Sequence, residues 1–168
     1  AEWLRHLPEG TTILVENVLE RDSLKKTIAR VQVLKEQKLT AGIMFDLVHH
    51  IKEQTQSIKT LQTITQEEFN KVWKITLDKI LTTISLLPGS GIHLPIGVNG
   101  DSLPLHLMTK THWQDLAKVI KQLGPKLKWI TLENQQHNLV KIKVEELAPL
   151  AVRNQRVVSE LAENGVLG

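Results

Sequence analysis

The sequence predicts an α/β fold, a partial (β/α)8 TIM barrel holding roughly the last four to five βα units. Three observations lead there. Short β-rich runs alternate with longer amphipathic runs, the βαβα order of a parallel sheet. The apolar runs are short and hydrophobic throughout, as strands covered by helices must be. Several of them end on a carboxylate or carry a histidine, and barrels place their chemistry at the C-terminal ends of the strands.

The first strand is read over Thr11 to Glu16, β-branched and apolar until its last residue. A helix follows from Ser23 to Glu36, with Leu24, Ile28, Val31 and Leu34 spaced at three and four so that one face is apolar, and Asp22 or Ser23 available as the cap. The second strand, Ala41 to Asp46, again ends on an acid. The stretch from Ile51 to Leu87 has helical period and is long enough for two helices. Thr65 with Glu68 three residues later forms a capping-box pattern, so the break is expected near Thr63 to Thr65. Pro88-Gly89-Ser90-Gly91 turns the chain into a third strand, Ile92 to Ile96. Gly97 to Asp101 reads as a loop, and Ser102 to Met108 as a short further strand. The helix from Thr111 to Leu123 gathers Trp113, Leu116, Val119, Ile120 and Leu123 on one side and stops at Gly124-Pro125. Leu127 to Glu133 is the last strand, and a final helix runs from Val144 to Asn164 with Pro149 as a kink or restart. No repeat or linker divides residues 1–168. A closed barrel needs eight strands, so about three strands are expected upstream of Ala1, where the chain opens on what reads as the end of a helix.

Composition narrows the function classes. With 41% hydrophobic and 23% charged residues the chain is ordinary globular protein, and no run of about 18 apolar residues suggests a membrane span. There is no cysteine, which argues against soft, thiolate-preferring metals and fits a reducing cytoplasm. The formal charge of +3 comes from lysines scattered along the helices. A nucleic-acid footprint gathers its cations on one face with aromatics to stack bases, and aromatics are only 4% here.

The polar residues of the strands carry the functional signal. Glu16, Asp46 and Glu133 end three apolar strands, and His93 follows Ile92 in another. Burying a carboxylate beside a strand core costs several kcal/mol unless it is paired or bound to a cation. One strand-end acid is more often a helix cap or a lysine partner. Four such residues on four strands converge at one mouth of the sheet. Carboxylates with one imidazole suit a divalent metal: Mn²⁺, Mg²⁺, Zn²⁺ or Fe²⁺. His49, three residues after Asp46, is read as a substrate ligand, an orienting residue or a ligand to a second metal, and His50 as its exposed neighbour. His106, with Asp101 before it, lies near the same strand ends if the further strand forms. His6, His112 and His137 are read as surface residues, His137 staying open because it follows Glu133 closely.

Leu14-Val15-Glu16-Asn17, Met44-Phe45-Asp46-Leu47-Val48-His49, Ile92-His93-Leu94 and Thr131-Leu132-Glu133-Asn134 together resemble the metal-site segments of the xylose-isomerase-like barrel superfamily. The resemblance runs from about Thr11 to Asn134. Each motif is short, and their order and spacing carry it. That superfamily contains sugar-phosphate isomerases and epimerases and the metal-dependent apurinic endonucleases. The resemblance to its ketose 3-epimerase-like members implies that Glu16, Asp46, His93 and Glu133 bind one divalent metal. It also implies that the two glutamates shuttle a proton and that His49 contacts substrate. The endonuclease branch adds an Asp-x-His before the last strand. Pro104-Leu105-His106 stands there instead, so Asp101 would have to replace the acid from a shifted position. No arginine follows His93, where Pro95-Ile96-Gly97 stands.

Three functions are therefore open, the first the leading expectation. The first is a metal-dependent isomerase or epimerase of a small sugar or sugar phosphate, with Glu16 and Glu133 as acid and base. The second is hydrolysis of abasic DNA with two or three metals, His49 and His106 adding ligands. The third is a barrel fragment or homologue without catalysis that binds a partner. A homo-oligomer is compatible with each.

Overall fold

A computed structural model of the chain describes residues 6–18, 20, 22–55, 61–97, 102–133 and 144–167. Its elements run β1 (Ile13–Glu16), α1 (Ser23–Glu36), β2 (Ala41–Asp46), α2 (Leu47–Thr55), α3 (Gln66–Leu86), β3 (Ser90–Pro95), α4 (Lys110–Leu123), β4 (Leu127–Glu133) and α5 (Val144–Glu163). Short 3₁₀ turns at Leu61–Thr63 and Gly124–Lys126 precede α3 and β4. The fold is α/β, with the four strands in one all-parallel sheet in sequential order β1-β2-β3-β4.

Local chemistry explains the element boundaries. Thr65 accepts from the Glu68 backbone N–H while the Glu68 carboxylate receives the Thr65 N–H at 2.8 Å, the expected capping box. The break between α2 and α3 falls where that box requires it. Gly124 ends α4 at φ +49°, a conformation that costs glycine little. α1 begins differently from expectation: Asp22 occupies the cap position in a left-handed conformation without a side-chain cap bond.

Side chains alternate across a strand, and parallel neighbours in register share a face. Ile43, Phe45, Ile92 and Leu94 point one way and are fully buried in one apolar cluster with Val48, Ile51, Trp73, Ile80, Trp113 and Leu116 of the helices. Burying each such side chain contributes about 1.5–3 kcal/mol, so this face anchors the fold. The other face is different. Asp46 pairs with His93, His93 with Thr131 and Pro95 with Glu133 across the sheet, while Gly91 lies beside Met44 and Trp129, which a Cβ there would meet at 3.0 and 3.2 Å. The apolar residues of this second face, Leu14, Met44 and Trp129, belong to neither core cluster, and Trp129 is 40% exposed. Among the described residues the helices thus cover a single face of the sheet.

The further strand expected over Ser102 to Met108 does not form; the segment folds as turns. The Leu103 N–H donates to the Pro95 carbonyl, but the Leu105 N–H returns to Leu103 and the Leu107 N–H to Pro104, so the backbone curls onto itself. These turns bury Leu103, Leu105 and Met108 in the main cluster and pack Leu107 against it, so the alternation of Leu103, Leu105 and Leu107 does not come from a strand. Pro149 stands within α5. No helix among the described residues is long and apolar enough to cross a membrane.

Candidate metal centre

The C-terminal ends of β1, β2 and β3 bring Glu16, Asp46 and His93 together. One ligand atom from each lies within 4.8 Å of the others. His93 Nδ1 stands 3.2 Å from Asp46 Oδ2 and 3.4 Å from Glu16 Oε1. Donor atoms around a small divalent ion at about 2.1 Å sit roughly 3.0–3.4 Å apart, so these spacings match the edges of a coordination polyhedron.

Asp46 is built into this position by its backbone. It is fully buried, its N–H donates to Asn17 Oδ1 at 2.8 Å, and Asn17 Nδ2 donates back to its carbonyl at 3.1 Å. The Asn17 amide thus clamps the end of β1 to the end of β2. Asp46 Oδ1 accepts the His49 N–H at 2.8 Å and caps α2. The helix-capping role common for a strand-end acid is therefore real, and it occupies one oxygen only. Among the described residues Asp46 Oδ2 and His93 Nδ1 are both buried, face each other at 3.2 Å as an ion pair, and neither makes a hydrogen bond of good geometry. Two such atoms facing each other are expensive to leave unsatisfied, and a bound cation would satisfy both.

Electrostatics agree with that geometry. Burial pushes the His93 imidazolium down, but the Asp46 and Glu16 carboxylates outweigh it and lift its pKa to about 10. The His93 contact in turn holds the Glu16 carboxyl below its ordinary range, against the opposing effect of burial. The cluster stabilises positive charge at this point, whether a proton or a metal supplies it.

The other expected residues fall into distinct places. Glu133 is exposed and lies 3.0 Å from His93 Nε2, on the opposite side of the ring from the two carboxylates. It is positioned to orient His93 rather than to share the three-residue group, as a carboxylate behind a ligating histidine does. A proton on Nε2 facing Glu133 leaves the Nδ1 lone pair for the cation. His49 Nδ1 is 2.9 Å from the Asn17 carbonyl, which can only accept, so Nδ1 carries a proton and Nε2 is the ring nitrogen left for another partner. His49 borders the cluster, 3.5 Å from Asp46 Oδ2 and 3.7 Å from Glu16 Oε1. His106 is exposed on the turn that replaces the fifth strand, outside the metal-site group. Asp101 and His137 lie outside the described residues.

No family model, curated protein or solved structure matches this chain.

Two histidines expected at the surface are not there. His50 is buried against Phe45, with Nδ1 3.1 Å from Thr76 Oγ1. His112 is buried between Phe69 and Trp73 and takes the glutamate's part in a capping box, accepting the Thr109 N–H at 3.0 Å. The sequence pattern singles out neither Asn17 nor Lys52 as a site residue. Asn17 sits directly after Glu16, and that adjacency was the available signal. Lys52 follows His49 by one helical turn and is only 5% exposed. Burial lowers its pKa, and the Asp46 charge opposes that.

Proposed function

We propose that the chain forms part of a (β/α)8 barrel that binds one divalent metal at its strand ends and isomerises or epimerises a small sugar or sugar phosphate. The proposal includes membership in the xylose-isomerase-like superfamily and a soluble cytoplasmic protein. The observation that carries it is the buried pair Asp46 Oδ2 and His93 Nδ1, 3.2 Å apart beside Glu16 Oε1 and without an aligned hydrogen bond among the described residues. Sequential parallel strands with helices on one face support the barrel. Its remaining strands would enclose the bare face that holds the site.

Glu16, Asp46 and His93 would hold the ion, with Mn²⁺, Mg²⁺, Zn²⁺ and Fe²⁺ all suited to an oxygen and nitrogen set without sulfur. A bound divalent cation polarises a substrate carbonyl and its neighbouring hydroxyl, acidifying the proton on the carbon between them. Glu16 and Glu133 reach the mouth from either side of His93, both exposed enough to meet a substrate. One takes the carbon-bound proton as general base and the other returns a proton, to the opposite face of the same carbon in an epimerisation or to the former carbonyl carbon in an isomerisation. His49 offers Nε2 to a substrate hydroxyl while Asn17 holds its other nitrogen. The abasic-DNA reading needs His49 and His106 as further metal ligands. His106 stands apart from the group, which favours the single-metal chemistry.

The test is exchange of the substrate's carbon-bound proton with solvent deuterium across a panel of ketoses and ketose phosphates. Glu133→Gln should abolish exchange while leaving bound metal at one equivalent. Wild-type-like exchange in that variant would remove Glu133 from the mechanism. Two or three metals per chain with salt-dependent DNA binding would favour phosphodiester hydrolysis instead.

A further inference from the structure

A cleft of about 460 Å³ opens between α5 and the turn segment after β3. Arg153 and Arg156 line it from one face of α5, and His106 and the Leu103-Pro104-Leu105 backbone line it from the turn. No carboxylate lines it among the described residues. The cleft therefore concentrates positive charge without an internal counter-ion.

The two arginines are tied down but not used up. Arg153 donates from Nη1 to the Gly97 carbonyl, and Arg156 donates from Nη2 to the Met108 carbonyl at 3.4 Å. A guanidinium has five N–H donors in a planar fork. Among the described residues neither arginine pairs with an acid, and each gives one bond to a carbonyl. A structural strut has no need for two adjacent forks at an open cleft. Residues three apart on a helix share a face, so their spare donors converge. Anchoring to backbone carbonyls fixes the forks in place before a ligand arrives, which lowers the entropic cost of binding.

We infer that Arg153 and Arg156, with His106, form a binding site for the phosphate group of a small phosphate monoester. Paired forks suit the several acceptor oxygens of a phosphate dianion better than a single carboxylate. The site also stands at the correct end of the sheet. Gly97, which Arg153 grips, lies four residues after His93, at most about 14 Å along an extended chain. A phosphorylated sugar can place its phosphate on the arginines while its carbonyl end lies at the strand mouth. Assigning this phosphate to the substrate rests on the proposed metal-dependent sugar chemistry. The phosphate site itself does not.

The test is titration of the metal-free chain, in chelator, with inorganic phosphate, a pentose 5-phosphate and the unphosphorylated pentose. Calorimetry is read alongside the Arg Nε–Hε resonances. The wild-type chain should bind inorganic phosphate and the pentose phosphate, bind the free pentose at least tenfold more weakly, and shift the Nε–Hε signals of Arg153 and Arg156. Arg153→Gln with Arg156→Gln should weaken phosphate binding at least tenfold while Mn²⁺ binding is retained. The resonance readout needs only wild-type protein, so it decides even if the double variant misfolds. Absence of phosphate binding, or shifts confined to other arginines, would overturn the site. So would binding of a short DNA duplex through these arginines without binding of either small phosphate. If Mn²⁺ fails to bind but phosphate does, the metal reading falls and the anion site stands.

Discussion

Asp46→Asn isolates the metal-binding role of Asp46 from its structural one. The two side chains have the same shape, so the amide oxygen can still accept the His49 N–H and cap α2. The other position changes from a carboxylate oxygen to an NH₂ group beside His93 Nδ1, now 3.2 Å away. It becomes a donor to the ring and cannot ligate a cation. Losing an orienting partner behind a ligand typically costs 10–100-fold in metal affinity, so loss of a charged ligand should cost about 100-fold or more. At Mn²⁺ equal to 100 times the wild-type Kd, binding stabilises the folded wild-type chain by about 2.7 kcal/mol, and a 100-fold weaker variant by only about 0.4 kcal/mol. For a domain of this size that is a metal-induced rise in Tm of roughly 5–11 °C for wild type and about 1–2 °C for the variant. Differential scanning fluorimetry with and without Mn²⁺ reads both, with Asp46→Ala alongside. Alanine removes the cap as well and should lower metal-free stability by a further ~1 kcal/mol relative to asparagine. A full metal-induced rise in Asp46→Asn would refute the assignment of Asp46 Oδ2 as a ligand. Equal metal-free stability of the two variants would refute the division of labour between its oxygens.

Asn17→Ala strips partners from the buried Asp46 N–H and carbonyl. It should destabilise the chain by about 2–4 kcal/mol in urea unfolding and weaken Mn²⁺ binding; near-wild-type stability would mean the clamp is dispensable. His50 gives a pH signature. Burial, with the Lys79 charge as a second cause, lowers its pKa to about 4, while the unfolded chain titrates near 6.5. The buried neutral ring therefore contributes its full stability above about pH 6.5, and that contribution is lost as pH falls towards 4, about 2–3 kcal/mol by pH 4.5. Urea midpoints at pH 7.5 and 4.5 should lie further apart for wild type than for His50→Gln, and parallel pH slopes would count against the buried neutral ring. His93 has the opposite sign. Its raised pKa stabilises the metal-free fold below about pH 6.5, and that stabilisation disappears as pH rises through about 10. A bound cation must displace this proton, so Mn²⁺ affinity measured by calorimetry should rise with pH between 6 and 9, and a flat profile would exclude His93 as a ligand.

The sequence by itself determined the alternation of strands and helices, because that depends on local period and capping. β2 and β4 match their expected limits, the Thr65–Glu68 box sits where its spacing placed it, and Glu16, Asp46 and His93 converge because parallel strands in register deliver their ends to one place. Tertiary structure decided what local pattern cannot encode. Leu103, Leu105 and Leu107 alternate as a strand would, yet they pack on the main cluster through turns. His50 and His112 look like surface residues until Thr76 and Asn70 close over them from α3. Glu133 is legible as a strand-end acid, but only the packing of β4 beside β3 sets it against His93 Nε2 instead of among the other carboxylates. Arg153 lies 60 residues from His93 in the chain, and no motif joins them. Only the fold brings its guanidinium to the Gly97 carbonyl just beyond β3. Short-range order is fixed by period and capping; which side of a ring a carboxylate reaches is fixed by how the elements pack.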